Sequence, residues 1–184
     1  IPVDYPLTIN AVSGYSGGGK ALINRMEDST NEDVIRSVWF AYGLSLAHKH
    51  VPEIGYYAKL DQFPLFSPSV ARFRQGMIVQ VPLQLWSLPG KPAVDDIRST
   101  LEGYYANATF VSVVSKEICE EHVGLLDPED LNNTNQMRLY VFGSRNEQQV
   151  ILAAQLDNLG KGASGQAIQC LNLMLGLDES AGLV

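Results

Sequence analysis

Two histidines and a carboxylate lie close together in the segment His48-Lys49-His50-Val51-Pro52-Glu53. An imidazole gains or loses a proton near neutral pH, so this grouping suits acid–base chemistry or the binding of a polar substrate. Two histidines and a glutamate could also bind zinc, but His48 and His50 would point to opposite sides of an extended chain. No nearby side chain adds a fourth ligand, so we predict no metal site. A purely structural histidine pair is the third interpretation.

A glycine-rich loop, Ser13-Gly14-Tyr15-Ser16-Gly17-Gly18-Gly19-Lys20, follows a strand-like segment near the start of the chain. Gly14, Gly19 and Lys20 have the spacing of a nucleotide-binding P-loop. Ala21, however, stands where such a loop needs Ser or Thr to hold magnesium, so we expect no NTPase activity. Consecutive glycines still expose backbone N–H groups that can hold a phosphate or a cofactor. An ordinary surface turn is the alternative.

A second glycine motif, Gly160-Lys161-Gly162-Ala163-Ser164-Gly165, matches the G-x-G-x-x-G fingerprint of dinucleotide-binding folds. Too few residues follow Gly165 for the next strand of a βαβ unit. We therefore predict that these glycines serve the turn that starts a helix.

Hydrophobic periodicity indicates the elements that must position these motifs. Alternating apolar residues predict six strands, at 7–12, 38–42, 77–85, 110–114, 137–142 and 149–154. Helical spacing predicts three helices, at 52–60, 94–105 and 165–175. The segment that follows the first loop, up to Asn31, is interpreted as a helix or a loop. Pro82 indicates an edge or a bulge in its strand.

The predicted strands are separated by too few helices for regular βαβ winding. We therefore predict an α+β fold, with a mixed, largely antiparallel sheet and helices on one face. The length of 184 residues suffices for one core, and no linker interrupts it. The net charge of -7 without a basic face argues against nucleic acid as a partner. No apolar run or signal peptide indicates a membrane, so we expect a cytoplasmic protein.

The two cysteines, Cys119 and Cys170, are too few for a disulfide scaffold, and we predict reduced thiols, with Cys170 packed in the last helix. A Cys119–His122 pair would suit nucleophilic catalysis. The two glutamates that follow Cys119 would disfavour its thiolate, which argues against that role. The chain starts at Ile1 and enters a strand almost at once, so we expect a fragment of a longer protein.

Three segments together resemble the N-acetyl-gamma-glutamyl-phosphate reductase family. The first loop, 13–20, resembles its S-G-x-S-G-x-G-[RK] motif, and 48–54 resembles its H-[RK]-H-x-P-E-I motif. Segment 157–167 resembles its D-N-L-x-K-G-A-[AS]-G-Q-A motif, and all three follow the family's order. The resemblance implies the fold of the C-terminal domain of glyceraldehyde-3-phosphate dehydrogenase-like enzymes.

The resemblance also implies an oxidoreductase that uses NADPH to reduce an acyl phosphate to a semialdehyde through a cysteine thioester. His48 then matches the catalytic acid–base residue. The positions that match substrate-binding residues are His50, Glu53, Ser13 and Ser16. The positions that match cofactor-binding residues are Gly14, Gly17 and Asn158.

The chain departs from the family in lacking its S-N-P-G-C nucleophile motif and its dinucleotide-binding glycines. We therefore expect no tight NADPH binding and no turnover by the chain alone. The resemblance implies a substrate-binding and dimerisation domain over 1–156, and over 157–184 a loop and helix that pack on a separate NADP-binding domain. It also implies a homodimer or homotetramer. A non-catalytic oligomerisation module and an aspartate-semialdehyde-dehydrogenase-like fragment are the alternatives.

Overall fold

The computed structural model describes residues 1–184, which form one seven-stranded sheet and five α-helices. The strands are β1 (Thr8–Gly14), β2 (Trp39–Ala41), β3 (Leu65–Ala71), β4 (Met77–Gln84), β5 (Val111–Val113), β6 (Met137–Gly143) and β7 (Gln149–Leu156). The helices are α1 (Gly19–Glu27), α2 (His50–Tyr57), α3 (Val94–Tyr105), α4 (Lys116–Glu121) and α5 (Gly165–Leu175). A π-helical turn, Gly160–Ser164, leads directly into α5.

The sheet has the strand order β2-β3-β1-β4-β7-β6-β5. The β1–β3 and β5–β6 pairs are parallel, and the other four neighbouring pairs are antiparallel. This arrangement confirms the predicted α+β fold with a mixed, largely antiparallel sheet. In the centre, β1, β4 and β7 lie side by side, and the C-terminal ends of β1 and β7 meet at the start of β4.

The main core lies on the face of the sheet that carries Ile9, Phe66 and Val150. Helices α2 and α3 cover this face, with Val51 and Ile97 packed in the same apolar cluster. The expectation of helices on one face is therefore correct for α2 and α3. It is wrong for α4, whose buried Cys119 packs against Tyr140 and Ala153. Residues alternate between the two faces along a strand, and these two side chains belong to the opposite face.

Strand β3 was not predicted from the sequence, because Pro68 and its two serine neighbours interrupt the apolar alternation. Pro68 is tolerated because its carbonyl accepts a hydrogen bond from the Tyr42 N–H on the β2 side. The Pro68 nitrogen also faces β2, but Pro68 lies one residue beyond the part of β3 that pairs with β2. Proline therefore omits only the reciprocal N–H bond of this last pair, beyond the end of the β2–β3 ladder.

Pro82 has a similar position in β4. It pairs with Ile151 of β7, but the pairing of β4 with β1 stops at Gln80. The strand is central in the sheet, yet at Pro82 it has a neighbour on one side, which agrees with the predicted local edge. Helix α4 was also missed, although Ser115 caps it by accepting a 3.5 Å hydrogen bond from the Ile118 N–H.

Candidate functional site

Asn158 lies directly after β7 and connects the first loop to the turn between β3 and β4. Its Nδ2 donates to Ser16 Oγ at 3.1 Å, to Ser13 Oγ at 3.3 Å and to the Gly14 carbonyl at 3.3 Å. Its Oδ1 accepts from the Gly76 N–H at 2.8 Å. The amide can therefore adopt only one orientation, with Nδ2 toward the loop.

Asp157, the residue before Asn158, is a buried carboxylate that holds this junction in place; it is 1% exposed. Its oxygens accept hydrogen bonds from the Leu159 N–H at 2.8 Å, the Asn133 N–H at 2.8 Å and Gln75 Nε2 at 2.5 Å. Three donors from three segments satisfy a carboxylate that lies away from water. The side chain thus fixes the backbone that carries Asn158.

Gly14 and Gly17 owe their identity to close packing within the chain. A Cβ on Gly14 would lie 2.6 Å from the Arg74 carbonyl oxygen, and one on Gly17 would lie 3.1 Å from Ser13 Oγ. The Gly14 N–H donates to the Gly76 carbonyl, and the next two N–H groups also donate to the β3–β4 turn. These three N–H groups are not free to hold a phosphate, unlike those of a P-loop.

The glycines of the second motif are explained in the same way. A Cβ on Gly160 would overlap the Thr134 carbonyl oxygen, and one on Gly165 would overlap Asn135 Oδ1. The segment before β6 packs directly on this turn. This close approach confirms that the G-x-G-x-x-G spacing serves the entry into α5 and is not a dinucleotide fingerprint.

His48 and His50 form a second group at the start of α2. The His50 N–H donates to His48 Nδ1 at 3.2 Å, and the two ring centroids are 4.7 Å apart. The His48 ring also lies edge-on to Phe66 at 5.1 Å and to Tyr42 at 5.7 Å. Glu53 lies in the first turn of α2 and is exposed, without a hydrogen bond to either histidine.

The environment of His48 favours its neutral form. Partial burial lowers the pKa of His48 below its ordinary value of 6.5, because burial penalises the charged imidazolium. The charges of His50 and Lys49 lower the pKa further, and Glu53 opposes them. A histidine that is neutral at physiological pH can donate or accept a hydrogen bond at the reacting atoms.

The two groups lie along the same face of the sheet. Ser13 shares its face with Ala11 and Ile9, and Ile9 pairs with Phe66, the residue on which His48 rests. Side chains two residues apart on one strand face the same side, so the two groups lie near opposite ends of β1 and β3 on one face of the sheet. The structure brings Ser13, Ser16 and Asn158 into contact, and it brings His48 to His50, but neither group contacts the other.

Sequence reasoning missed the residues that support Asn158, namely Gln75, Gly76 and Asp157. Asp157 was part of a recognised motif, but its role depends on contacts with segments far away in sequence. Lys161 was also missed: it is 7% exposed, and its Nζ donates to Gln169 Oε1 at 2.6 Å. Burial lowers the pKa of Lys161, and the charge of Glu179 opposes this shift.

The cysteines are separate from both groups. Cys119 Sγ lies 3.6 Å from Arg98 Nη1 and 3.8 Å from the Val114 carbonyl oxygen, and no hydrogen bond joins this sulfur to the His122 ring. The expected packing of Cys170 is wrong, because this side chain is exposed on the outer side of α5.

No group of three or more His, Cys, Asp or Glu side chains could hold a metal ion, and no helix is long and apolar enough to cross a bilayer.

Residues 2–158 match the sequence profile of the semialdehyde dehydrogenase dimerisation domain. The chain is 51% identical over 176 residues to the N-acetyl-gamma-glutamyl-phosphate reductases of Brucella ovis and Brucella canis. The matched region covers 96% of this chain and 56% of each relative. The chain therefore spans about half the length of the curated relatives it matches.

Solved structures with this fold include aspartate semialdehyde dehydrogenase II from Vibrio cholerae, with a TM-score of 0.64 and 14% identity over 92% of this chain and 55% of that one. The aspartate semialdehyde dehydrogenase from Francisella tularensis has a TM-score of 0.63 and 13% identity, over 91% of this chain and 58% of that one. At this identity the likeness shows the fold alone.

Proposed function

Because the chain belongs to the semialdehyde dehydrogenase family through its dimerisation domain, we propose that it is the substrate-binding and subunit-contacting part of an N-acetyl-gamma-glutamyl-phosphate reductase. The observation that carries the proposal is the 51% identity to proteins of that name over 96% of the chain. The site supports it, since Ser13 and Asn158, which belong to two separate motifs, are joined by a hydrogen bond across 145 residues.

The proposed reaction reduces an acyl phosphate to an aldehyde with release of phosphate. A cysteine thiolate from the part of the protein outside this chain attacks the acyl carbon and expels phosphate, which leaves a thioester. NADPH, when bound, supplies the two electrons as hydride. His48 contacts the reacting oxygen, and His50, Glu53, Ser13 and Ser16 bind the substrate.

The first loop and Asn158 fit a role beside the nicotinamide, although their contacts within the chain limit it. The N–H groups of the loop that begin at Gly14 donate to the β3–β4 turn, and the Asn158 amide is fully hydrogen-bonded. The exposed Gly17 leaves an open backbone surface on the outer side of the loop. We propose that Gly14, Gly17 and Asn158 present this surface to the cofactor, with no cradle for its phosphates.

We propose that residues 157–184 pack on the NADP-binding domain while residues 1–156 form the substrate-binding and dimerisation domain. Helix α5 supports this division. Its inner side carries the buried Gln169 and Asn172, and its outer side exposes several large apolar residues. They are Ile168, Leu171, Leu173, Met174 and Leu175. Exposed apolar side chains in such a continuous group are typical of an interface.

We propose that the protein forms a homo-oligomer, a dimer or a tetramer, through the face of the sheet opposite the main core. That face is left largely uncovered by helices and carries Ile151, which is 41% exposed. A sheet face without a covering layer is typical of a subunit contact. A cytoplasmic location follows from the proposed role in amino-acid biosynthesis.

The test is NADPH oxidation by the longer protein that contains this chain, with N-acetyl-gamma-glutamyl phosphate as substrate. We expect turnover that His48→Ala reduces by two orders of magnitude or more, about the usual contribution of an acid–base group. We expect none from the 184-residue chain alone. Absence of turnover in the longer protein would favour a non-catalytic oligomerisation module. A preference for aspartyl phosphate would favour the aspartate-semialdehyde enzyme.

A further inference from the structure

A cavity of about 450 Å³ lies at the edge of the sheet, where residues of α3, α4 and the second half of β6 meet. Strand β5 pairs with β6 only as far as Leu139, so no strand covers that edge of β6 from Tyr140 onward. The loop after α4 adds a further wall. No lining residue belongs to the groups around Asn158 or His48, and the volume suits a small molecule.

Arg98 of α3 lines this cavity and is a buried cation, with 8% of the residue exposed. Its Nη1 donates to the Val114 carbonyl at 2.7 Å, and its Nη2 donates to the Val141 carbonyl at 2.8 Å. The guanidinium group therefore bridges the end of the β5–β6 ladder. Its Nε is buried without any acceptor. The hydrogen bonds thus satisfy part of the group and leave its charge in place.

No carboxylate neutralises the charge of Arg98. The two ion pairs of the chain join Arg74 to Glu27 and Lys116 to Asp95. A guanidinium group stays protonated in proteins, and arginine is seldom buried unless it is paired with an anion. Backbone carbonyls accept hydrogen bonds but carry no net negative charge. Arg98 therefore leaves an uncompensated positive charge at the wall of the cavity, which is unfavourable until an anion binds there.

The other lining residues restrict the class of anion. Several are apolar and come from α3, β6, β7 and the loop after α4. They are Val94, Leu125, Leu126, Phe142 and Ile151. The carboxylates of Glu120 and Glu147 also line the cavity, and they repel a ligand with several negative charges, such as a nucleotide. The lining therefore fits a single carboxylate on an apolar body.

We propose that this cavity is a second ligand site, which binds a small monocarboxylate with an apolar body and holds its carboxylate by the charge of Arg98. Lys116, at the rim, is a second cation that lines the cavity, although Asp95 lies 3.8 Å from its Nζ. The inference does not depend on the proposed reductase function. Ile151 of the proposed subunit contact is one of the lining residues, so the site borders that contact.

The test is a titration of the 184-residue chain with phenylbutyrate, followed by nitrogen-15 NMR of the backbone amides. We expect saturable shifts at Gly124, Leu125 and Gly143, which line the cavity, and none at Gly17 of the first loop. Phenylbutyramide has the same shape without the charge and should bind about tenfold more weakly, the value of one charged contact. Equal affinity for the two compounds, or no saturable shift at millimolar phenylbutyrate, would overturn the proposal.

A filled cavity provides a variant that keeps the fold. Gly124 lines the cavity, has open space around a Cβ and does not have a positive φ, so Gly124→Phe adds a ring without a backbone clash. This variant should lose the saturable shifts. Gly103→Phe, at an exposed position of α3 with the same open space, lies outside the cavity and should bind as wild type does. Equal binding by both variants would place the ligand elsewhere.

A second variant isolates the charge. Arg98→Met removes the guanidinium group and keeps an unbranched apolar side chain, so it should weaken phenylbutyrate binding about tenfold and leave phenylbutyramide binding unchanged. This variant also loses two hydrogen bonds to carbonyls, and thermal unfolding shows whether it remains folded. If it does not, the comparison of acid with amide and the Gly124 variant decide the question. Unchanged phenylbutyrate affinity in folded Arg98→Met would contradict the role of the charge.

Discussion

Asn158 has four hydrogen-bond partners within the chain, so its side chain acts as a structural support for the segments that it joins. Both ends of its amide contact groups of the chain itself, the Gly76 N–H on one side and Ser13, Gly14 and Ser16 on the other. A side chain in this position determines the shape of the first loop. A motif can identify the residue, but only its contacts show how it acts.

Replacement of Asn158 by Ala should destabilise the chain. The Gly76 N–H is buried at this point and would lose its acceptor, and an unsatisfied buried donor costs about 1–3 kcal/mol. Urea unfolding of Asn158→Ala should show a lower midpoint with an unchanged slope. Asn107→Ala, at an exposed asparagine, is the matched control and should leave the midpoint unchanged.

The lowered pKa of His48 links stability to pH with a definite sign. The unfolded chain binds a proton at His48 more readily than the folded chain does, because the folded pKa lies below 6.5. The stability contributed by the neutral ring is present above that value and is lost as pH falls below it. Wild type should therefore lose more free energy of unfolding on acidification than His48→Asn, whose amide does not titrate. Identical pH profiles for the two proteins would contradict a lowered pKa of His48 in the folded chain.

The elements that sequence patterns predicted are those with one clearly buried face. Strands β1, β4, β6 and β7 have regular apolar alternation and were identified within a few residues. Strand β3 was not predicted, because Pro68 looks unsuitable for a strand until its nitrogen is seen to lie just beyond the end of the pairing with β2. Similarly, the histidine segment can be found from residue types alone, whereas the support of Asn158 by Asp157 depends on pairing between distant elements.

The turn before α5 allows a prediction about its glycines. Gly160→Ala should destabilise the chain by about 2 kcal/mol or more, because the new Cβ would overlap the Thr134 carbonyl oxygen and backbone must shift. Gly103, in the interior of α3, has open space around a Cβ and is the control. Gly103→Ala should stabilise by about 0.5–1 kcal/mol through helix propensity. Thermal unfolding of both variants measures the difference, and equal effects would show that space does not restrict Gly160.

At the scale of the whole molecule, one sheet face and one helix remain uncovered. Helices α2 and α3 cover the main core, α4 covers one end of the opposite face, and the outer side of α5 is apolar and exposed. A molecule of this size rarely leaves so much apolar surface without a partner. The two surfaces correspond to the two contacts proposed above, one with a second subunit and one with a cofactor domain.

The proposed subunit contact can be tested by a charge on the exposed sheet face. Ile151→Asp would place a carboxylate in an apolar contact, where desolvation of the charge opposes association. Analytical ultracentrifugation should show a weaker oligomer by at least an order of magnitude in the dissociation constant, roughly 1.4 kcal/mol. Tyr104→Asp, at an exposed position of α3 on the other face, is the control and should leave the dissociation constant unchanged. Unaltered association of the Ile151 variant would place the contact elsewhere.

The hydrogen bond from Asn158 to Ser13 spans 145 residues, which has a consequence for how the protein is made. Ribosomes release a chain from its N-terminus, so the first loop emerges long before the residue that fixes it. Strand β1 can pair with β3 and β4 early, but β7 must be synthesised and inserted between β4 and β6 before Asn158 arrives. Contacts of such high sequence separation form late. The first loop should therefore mature late during translation, only after β7 and Asn158 have been synthesised.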